Sequence, residues 1–247
     1  MLKKLSLIAL GAAVGLSSVG LSLHAADEAK AKTEAKSEAG WVSLFNGKDL
    51  TGWEGNTELW SVQDGTITGK TSKEKPIKSN TFLILKDQEV ADFELTFQYK
   101  IVGGNSGVQY RSKVMDPKTW RVGGYQADFE AGKTYSGINY NEGNIAGKRG
   151  ILAQRGTKVH YKADGTKEET KLEKTSEQLQ AAIKNEDWNE YKIIAKGPHM
   201  IHMINGNVTS EVIDEDKAAI AKGILALQVH AGPPMTVQFK DIKIKKL

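Results

Sequence analysis

NSGVQYR at residues 105–111 and GGYQADFE at residues 123–130 are the two segments on which the reading of this chain turns. At the two-residue period of a β-strand, Asn105, Gln109 and Arg111 fall on one face of the first segment, and Val108 and Tyr110 on the other. In the second, Gln126, Asp128 and Glu130 share a face opposite Tyr125, Ala127 and Phe129. Two adjacent strands then carry amides, carboxylates and a guanidinium above an apolar underside. That is the pattern of a binding face as well as of a half-buried sheet.

The same rhythm extends outward. Phe93, Leu95, Phe97 and Tyr99 alternate with Glu94, Thr96, Gln98 and Lys100, and Gly103-Gly104 turns that strand into the 105–111 segment. Asp64-Gly65 and Asn205-Gly206 sit between short alternating runs, the strongest short hairpin signal. Shorter runs at 41–45, 59–69, 81–85, 137–140, 151–154, 188–196, 199–204 and 208–213 read as further strands. The segment 223–230 places Leu225, Leu227 and Val229 inward and Ala226, Gln228 and His230 outward, so a third strand matches the first two. In the last strand, 236–246, the phase changes between Phe239 and Ile242, which predicts a bulge. Thr175 and Gln178 form a capping-box pattern ahead of Leu179, Ala182 and Ile183, so one surface helix is expected within 173–184, and a short helical turn within 215–221. Many short strands with one or two short helices make an all-β antiparallel sandwich.

With 247 residues and 39% hydrophobic content, the chain can bury one sizeable core. Lys3 and Lys4 precede an uncharged run from Leu5 to Leu23 that ends at Ala25 and Ala26, the layout of a secretory signal peptide over residues 1–25. An uncleaved anchor is the competing reading, weakened by Gly11, Gly15 and Gly20. Residues 26–39 alternate charges with no large apolar side chain and read as a linker, leaving 40–247 as the folded domain and a periplasmic or secreted location. There is no cysteine, hence no disulfide. The net charge of +4 is scattered, without the basic stripe and stacking aromatics of a nucleic-acid binder.

Taken in order, LFNGKDLTGW (44–53), WSVQDGTITG (60–69), DFEL (92–95), NSGVQYR, GYQADFE, WNEY (188–191), the Ile204-Asn205-Gly206 turn, LQVHAG (227–232) and the closing VQFKDIKIKKL (237–247) resemble the 3-keto-disaccharide hydrolase domain family. The resemblance covers about residues 41 to 247. It implies a concanavalin A-like (lectin/glucanase) jelly roll with a sugar-binding face, acting on sugars oxidised to a ketone at C3, and an upstream glycoside 3-oxidoreductase to supply them. This chain has Gln126-Ala127-Asp128 where the family more often has Glu-x-Gln.

An ordinary retaining mechanism needs two carboxylates, and the Gln126 amide cannot be a nucleophile. Asp128 and Glu130 remain, with Cβ atoms about 6.5 to 7 Å apart at strand spacing, which fits either glycosidase geometry. A 3-keto sugar needs something else: a base for the acidified C2 proton and a donor for the enolate oxygen. The expected catalytic set is His230 as base, oriented by Asp128 or Glu130, with Arg111 on the enolate. Asn105, Gln109, Gln126, Gln228, Tyr125 and Arg155 are the expected substrate contacts, Arg149 and Arg155 lying in a glycine-rich loop. The competing readings stay open: Arg111 and Asp128 as an interstrand ion pair, His230 as a loop anchor, Tyr125 as a core residue, and the whole chain as a non-catalytic carbohydrate-binding module or an adhesion domain. No cofactor motif is present, and Asp128, Glu130 and His230 are the residues with metal-ligand chemistry, without an acidic calcium loop.

Overall fold

Residues 40–147 and 150–247 are described in a computed structural model of the chain. The expected leader (1–25) and linker (26–39), together with Arg149, lie outside the described residues. Among the described residues no helix is long and apolar enough to cross a membrane.

The elements in order are β1 (Trp41–Ser43), β2 (Trp53–Glu54), β3 (Trp60–Gln63), β4 (Thr66–Lys70), β5 (Thr81–Leu85), β6 (Phe93–Val102), β7 (Asn105–Asp116), β8 (Arg121–Glu130) and β9 (Asn139–Glu142). They continue with β10 (Gly150–Ala153), β11 (Thr157–Tyr161), β12 (Lys167–Lys171), α1 (Ser176–Ala181), β13 (Asn189–Lys196), β14 (His199–Ile204), β15 (Asn207–Asp214), β16 (Ile224–Val229) and β17 (Thr236–Lys246). One sheet runs β12-β11-β15-β14-β13-β6-β17-β4-β3, with β1 also on β17, and the other β10-β9-β8-β7-β16-β5-β2. This is the expected jelly-roll sandwich.

Alternation builds the core. Phe93, Leu95, Phe97, Tyr99 and Ile101 of β6 are buried against Val108, Tyr110, Ala127, Phe129, Leu225 and Leu227 of the facing sheet. Tyr99 stacks on Phe129 at 3.9 Å between centroids, joining the two layers. His202 is also inside, bonded to Tyr110 Oη at 2.8 Å, and burial lowers its pKa to about 3, so it stays neutral.

The turn chemistry acts where it is expected. Asp64 and Gly65, and likewise Asn205 and Gly206, all have positive φ, the left-handed pair that matches strand twist. Thr175 caps α1 with the full capping box to Gln178, and Leu179 is its buried anchor. In β17 the register shifts between Lys240 and Lys243, with Asp241 at φ 51°. Residues 215–221, by contrast, form a turn closed by Ala219 N–H to Asp216 O and not a helix. The strands β11 and β12 are additions: β12 is exposed at all five residues, so no alternation marks it, and β11 joins β15 in parallel.

Arg111 departs from the expected face. The β7–β8 register shifts between Tyr110 and Lys113, and Arg111 sits at φ 47°. One extra residue on β7 ends the simple alternation there. The buried guanidinium therefore reaches the other sheet, with Nε on Ala91 O at 2.7 Å, Nη1 on Gly197 O at 2.7 Å and Nη2 on Asp92 Oδ1 at 3.0 Å. Its ion-pair partner is Asp92, not Asp128. Arg111→Ala, which removes a buried side chain and three hydrogen bonds between the sheets, is expected to lower stability by about 2 kcal/mol in urea unfolding. Ligand affinity of the folded fraction is expected to be unchanged, because this residue staples the sheets and does not border the polar face.

Candidate functional site

The site is a ladder of polar side chains across β16, β7 and β8, which lie next to one another. The innermost rung pairs Ala226 with Gln109 and Gln109 with Gln126. In the next, Gly107 pairs with Asp128, and Gln228 lies on the other flank, its carbonyl accepting from Ser106 Oγ at 2.7 Å. The outermost pairs Asn105 with Glu130, and the β16–β7 register carried forward brings position 230 to the far side of Asn105.

Gly107 explains how so many polar groups fit on one face. A Cβ there would stand 2.7 Å from Gln126 Cγ and 2.8 Å from its Nε2, so the Gln126 side chain lies across the space that glycine leaves. Gln126 is the hub: its Oε1 accepts from Gln109 Nε2 at 2.7 Å and Gln228 Nε2 at 3.1 Å, and its Nε2 donates to Asp128 Oδ1 at 3.3 Å. Ser112 Oγ donates to Gln109 Oε1 at 2.7 Å and completes the chain of amides. Ser112 was not among the expected residues, because the bulge beside it cannot be counted from period-two spacing. Phe82, Ile84, Val122 and Ala226, with Trp120 against them, form an apolar patch beside these amides.

Asp128 is 5% exposed, and its burial raises its pKa to about 8, with the nearby Glu130 charge adding to the rise while hydrogen bonds from Gln126 and Asn105 oppose it. Glu130 behaves differently: its Oε1 accepts from the backbone N–H of Thr134 at 2.6 Å and Tyr135 at 2.9 Å, so it anchors the loop after β8. His230 follows the end of β16, half-buried, with Nδ1 2.5 Å from Ala231 O, and Ala231 N–H donates to Asn80 Oδ1 at 3.0 Å. A bond to that carbonyl requires the proton on Nδ1, which leaves Nε2 as the nitrogen open to a substrate. The Nδ1 partner is the Ala231 carbonyl, so a backbone contact stands where orientation by a carboxylate was expected.

The structure thus brings together Asn105, Gln109, Gln126, Asp128 and Gln228, with Glu130 and His230 at the half-buried, open end. It does not bring Tyr125, Arg155 or Arg111 there. Tyr125 is in the core, stacked 5.8 Å from Tyr110, with its hydroxyl donating to Asp214 Oδ2 at 2.7 Å. Alternation had already put Tyr125 on the inner face, and packing keeps it there. Arg155 is 7% exposed and holds three backbone carbonyls, those of Ser176, Ser136 and Lys133. Among the described residues no three His, Asp or Glu side chains are grouped as metal ligands.

The sequence profile of the 3-keto-alpha-glucoside-1,2-lyase-like domain matches residues 40–245. No curated protein matches the chain in sequence. Among solved structures, a Parabacteroides distasonis ATCC 8503 protein described as a candidate glycosyl hydrolase is similar at TM-score 0.55 and 21% identity, over 90% of this chain and 97% of that one. A laminarinase from Flavobacterium sp. UMI-01 is similar at TM-score 0.53 and 11% identity, over 84% and 98%. The carbohydrate binding module CBM66 from Bacillus subtilis is similar at TM-score 0.50 and 15% identity, over 84% and 96%. At these identities the likeness is one of fold.

The raised pKa of Asp128 has a sign that can be measured. The folded state holds the Asp128 proton more tightly than the unfolded chain, so this contribution to stability is complete below about pH 4 and is lost as pH rises through about 8. Asp128→Asn, which stays neutral, is expected to match the wild type near pH 4 and to gain on it steadily toward pH 8.5 in thermal melts. Parallel melting curves for the two proteins across that range would sink the assignment.

Proposed function

Because the chain belongs to the 3-keto-alpha-glucoside-1,2-lyase-like domain family, we propose that it cleaves the glycosidic bond of a 3-keto-glycoside or 3-keto-disaccharide on the β16–β7–β8 face, with Asp128 as the base. One observation carries this reading: a buried carboxyl with its pKa near 8, set in a row of neutral amides. A ketone at C3 acidifies the C2–H bond, and a carboxylate with a raised pKa is a stronger base than an ordinary one. Asp128 takes the C2 proton, the electron pair moves onto the C3 oxygen as an enolate, and the enolate re-forms the ketone as the C1–O bond to the leaving group breaks. Addition of water to the resulting C1–C2 alkene gives the free 3-keto sugar. With the proton on Nδ1, His230 Nε2 at the open end of the ladder is an acceptor, so it takes a proton from the attacking water; Asp128 returns its proton to C2, and the departing oxygen is protonated from solvent.

The amides fit the rest of that demand. Asn105, at the half-buried end, offers a neutral amide suited to a sugar hydroxyl or an enolate oxygen, and the buried Gln126 and Gln228 hold the row behind it in a setting where burial strengthens each contact. A conventional double-carboxylate glycosidase is less well supported, because Glu130 is committed to loop amides and leaves Asp128 as the single carboxyl of the inner ladder. Two further parts of the reading rest on chemistry and sequence: a 3-oxidoreductase must supply the substrate, and the leader over residues 1–25 directs the protein to the periplasm or medium. Cell fractionation tests the second.

The activity test is incubation with 3-keto-trehalose or a 3-keto-glucoside and measurement of sugar release. The rate is expected to rise with pH through an apparent pKa near 8, since the basic form of Asp128 does the work. Asp128→Asn is expected to lower kcat by about 10² to 10⁴, and His230→Ala less. Full turnover by Asp128→Asn would remove it from the mechanism, and full turnover by His230→Ala would remove the histidine. Saturable binding without release would support the other reading, a lectin-like module, which the uncharged inner rung also suits.

A further inference from the structure

A cavity of about 990 Å³ opens at the end of the sandwich, between the loop after β8, residues 154–155, α1 and the segment 183–186. Its walls are braced by buried polar groups. The Arg155 guanidinium ties the first residue of α1 to the loop through Ser176 O at 3.1 Å, Ser136 O at 2.8 Å and Lys133 O at 2.8 Å. Glu130 holds the same loop through Thr134 and Tyr135 N–H. Asn189, 2% exposed, bonds both Lys184 N and Lys184 O at 2.8 Å and fixes the opposite wall. Such bracing keeps the space open and pre-formed, which lowers the ordering cost of binding.

Two polar atoms beside the cavity have unmet capacity. Tyr99 is 1% exposed and its hydroxyl has no hydrogen-bond partner, and the buried Oε1 of Gln180 has none either. Unpaired buried groups are costly, so the packing behind this wall is not optimised for stability alone. The charged lining residues cancel: Glu130, Glu177 and Glu186 against Lys133, Arg155 and Lys184. Apolar surface from Ile101 and Ile183 lies alongside the amides. A balanced, amide-rich lining with some apolar surface suits a neutral polyol, and the volume suits a small oligosaccharide.

We propose that this cavity is a second binding site, for a neutral saccharide of about disaccharide size, held through hydroxyl contacts to the amides that line it, Gln154, Gln180 and Asn185. It is distinct from the amide ladder, and the two meet at Glu130, whose backbone pairs with Asn105 while its side chain walls the cavity. The proposal does not depend on the cleavage chemistry.

Calorimetric titration of the full chain with unoxidised trehalose and with cellobiose tests it, with inorganic phosphate as the charged control. Ala181 is exposed on α1 and lines the cavity, so Ala181→Trp fills the space without entering the core. Saturable binding of at least one disaccharide is expected, weakened about tenfold or more by Ala181→Trp and by Gln180→Leu, a loss of about 1.4 kcal/mol. It is expected to be unchanged in Asp128→Asn, with melting temperatures confirming that each variant is folded. Absence of saturable binding by both sugars, undiminished binding in Ala181→Trp, or a preference for phosphate would each overturn the proposal. Loss in Asp128→Asn with retention in Ala181→Trp would place the sugar on the sheet face instead and would equally overturn it.

Discussion

One extra residue in β7 governs how this sandwich is divided between stability and chemistry. Up to Tyr110 the strand keeps strict alternation, so Val108 and Tyr110 enter the core and Gln109 faces out. At Arg111 the backbone takes a left-handed turn, and the next long polar side chain reaches across to Ala91, Gly197 and Asp92. The bulge supplies a buried charged staple between sheets while leaving the outer face to neutral amides and one carboxyl. Without it, a guanidinium would stand at the end of the amide row, beyond Gln109.

The electrostatics of the outer face follow from that separation. Gln126 accepts two bonds and donates toward Asp128, so the carboxyl is surrounded by dipoles of both senses and kept from water. Desolvation outweighs the hydrogen bonds from Gln126, Asn105 and the Phe129 backbone that favour the anion, and the resulting acidity lies near neutrality. Glu130, two residues on, has the same chemistry but backbone N–H partners and partial exposure, so it serves the loop. Two carboxylates on one face of one strand thus take different parts because of what packs around each.

The sandwich has a second feature that the ladder does not explain. At its end, Arg155 and Asn189 are buried in order to hold loops apart, while Tyr99 and Gln180 keep unmet hydrogen-bonding groups beside the space so formed. Buried polar groups usually close a structure. Here they brace an opening, next to the residue that begins the polar face.

Much of this was legible in the residue order. Period-two alternation in 93–101, 105–110, 123–130 and 223–229 dictated the two layers and which side chains face out, because a pleated strand allows no other assignment once one face must be buried. Asp64-Gly65, Asn205-Gly206 and the Thr175 capping box acted locally and were readable for the same reason. The sequence by itself therefore determined the sandwich, the adjacency of the amides and carboxyls, and the inward place of Tyr125. Only the tertiary structure decided what each polar group does. The bulge that redirects Arg111, the loop that engages Glu130, the carbonyl that meets His230 and the burial that shifts Asp128 all depend on groups distant in the chain. Burial and hydrogen-bond partners are properties of the packed molecule, and no spacing along a strand encodes them.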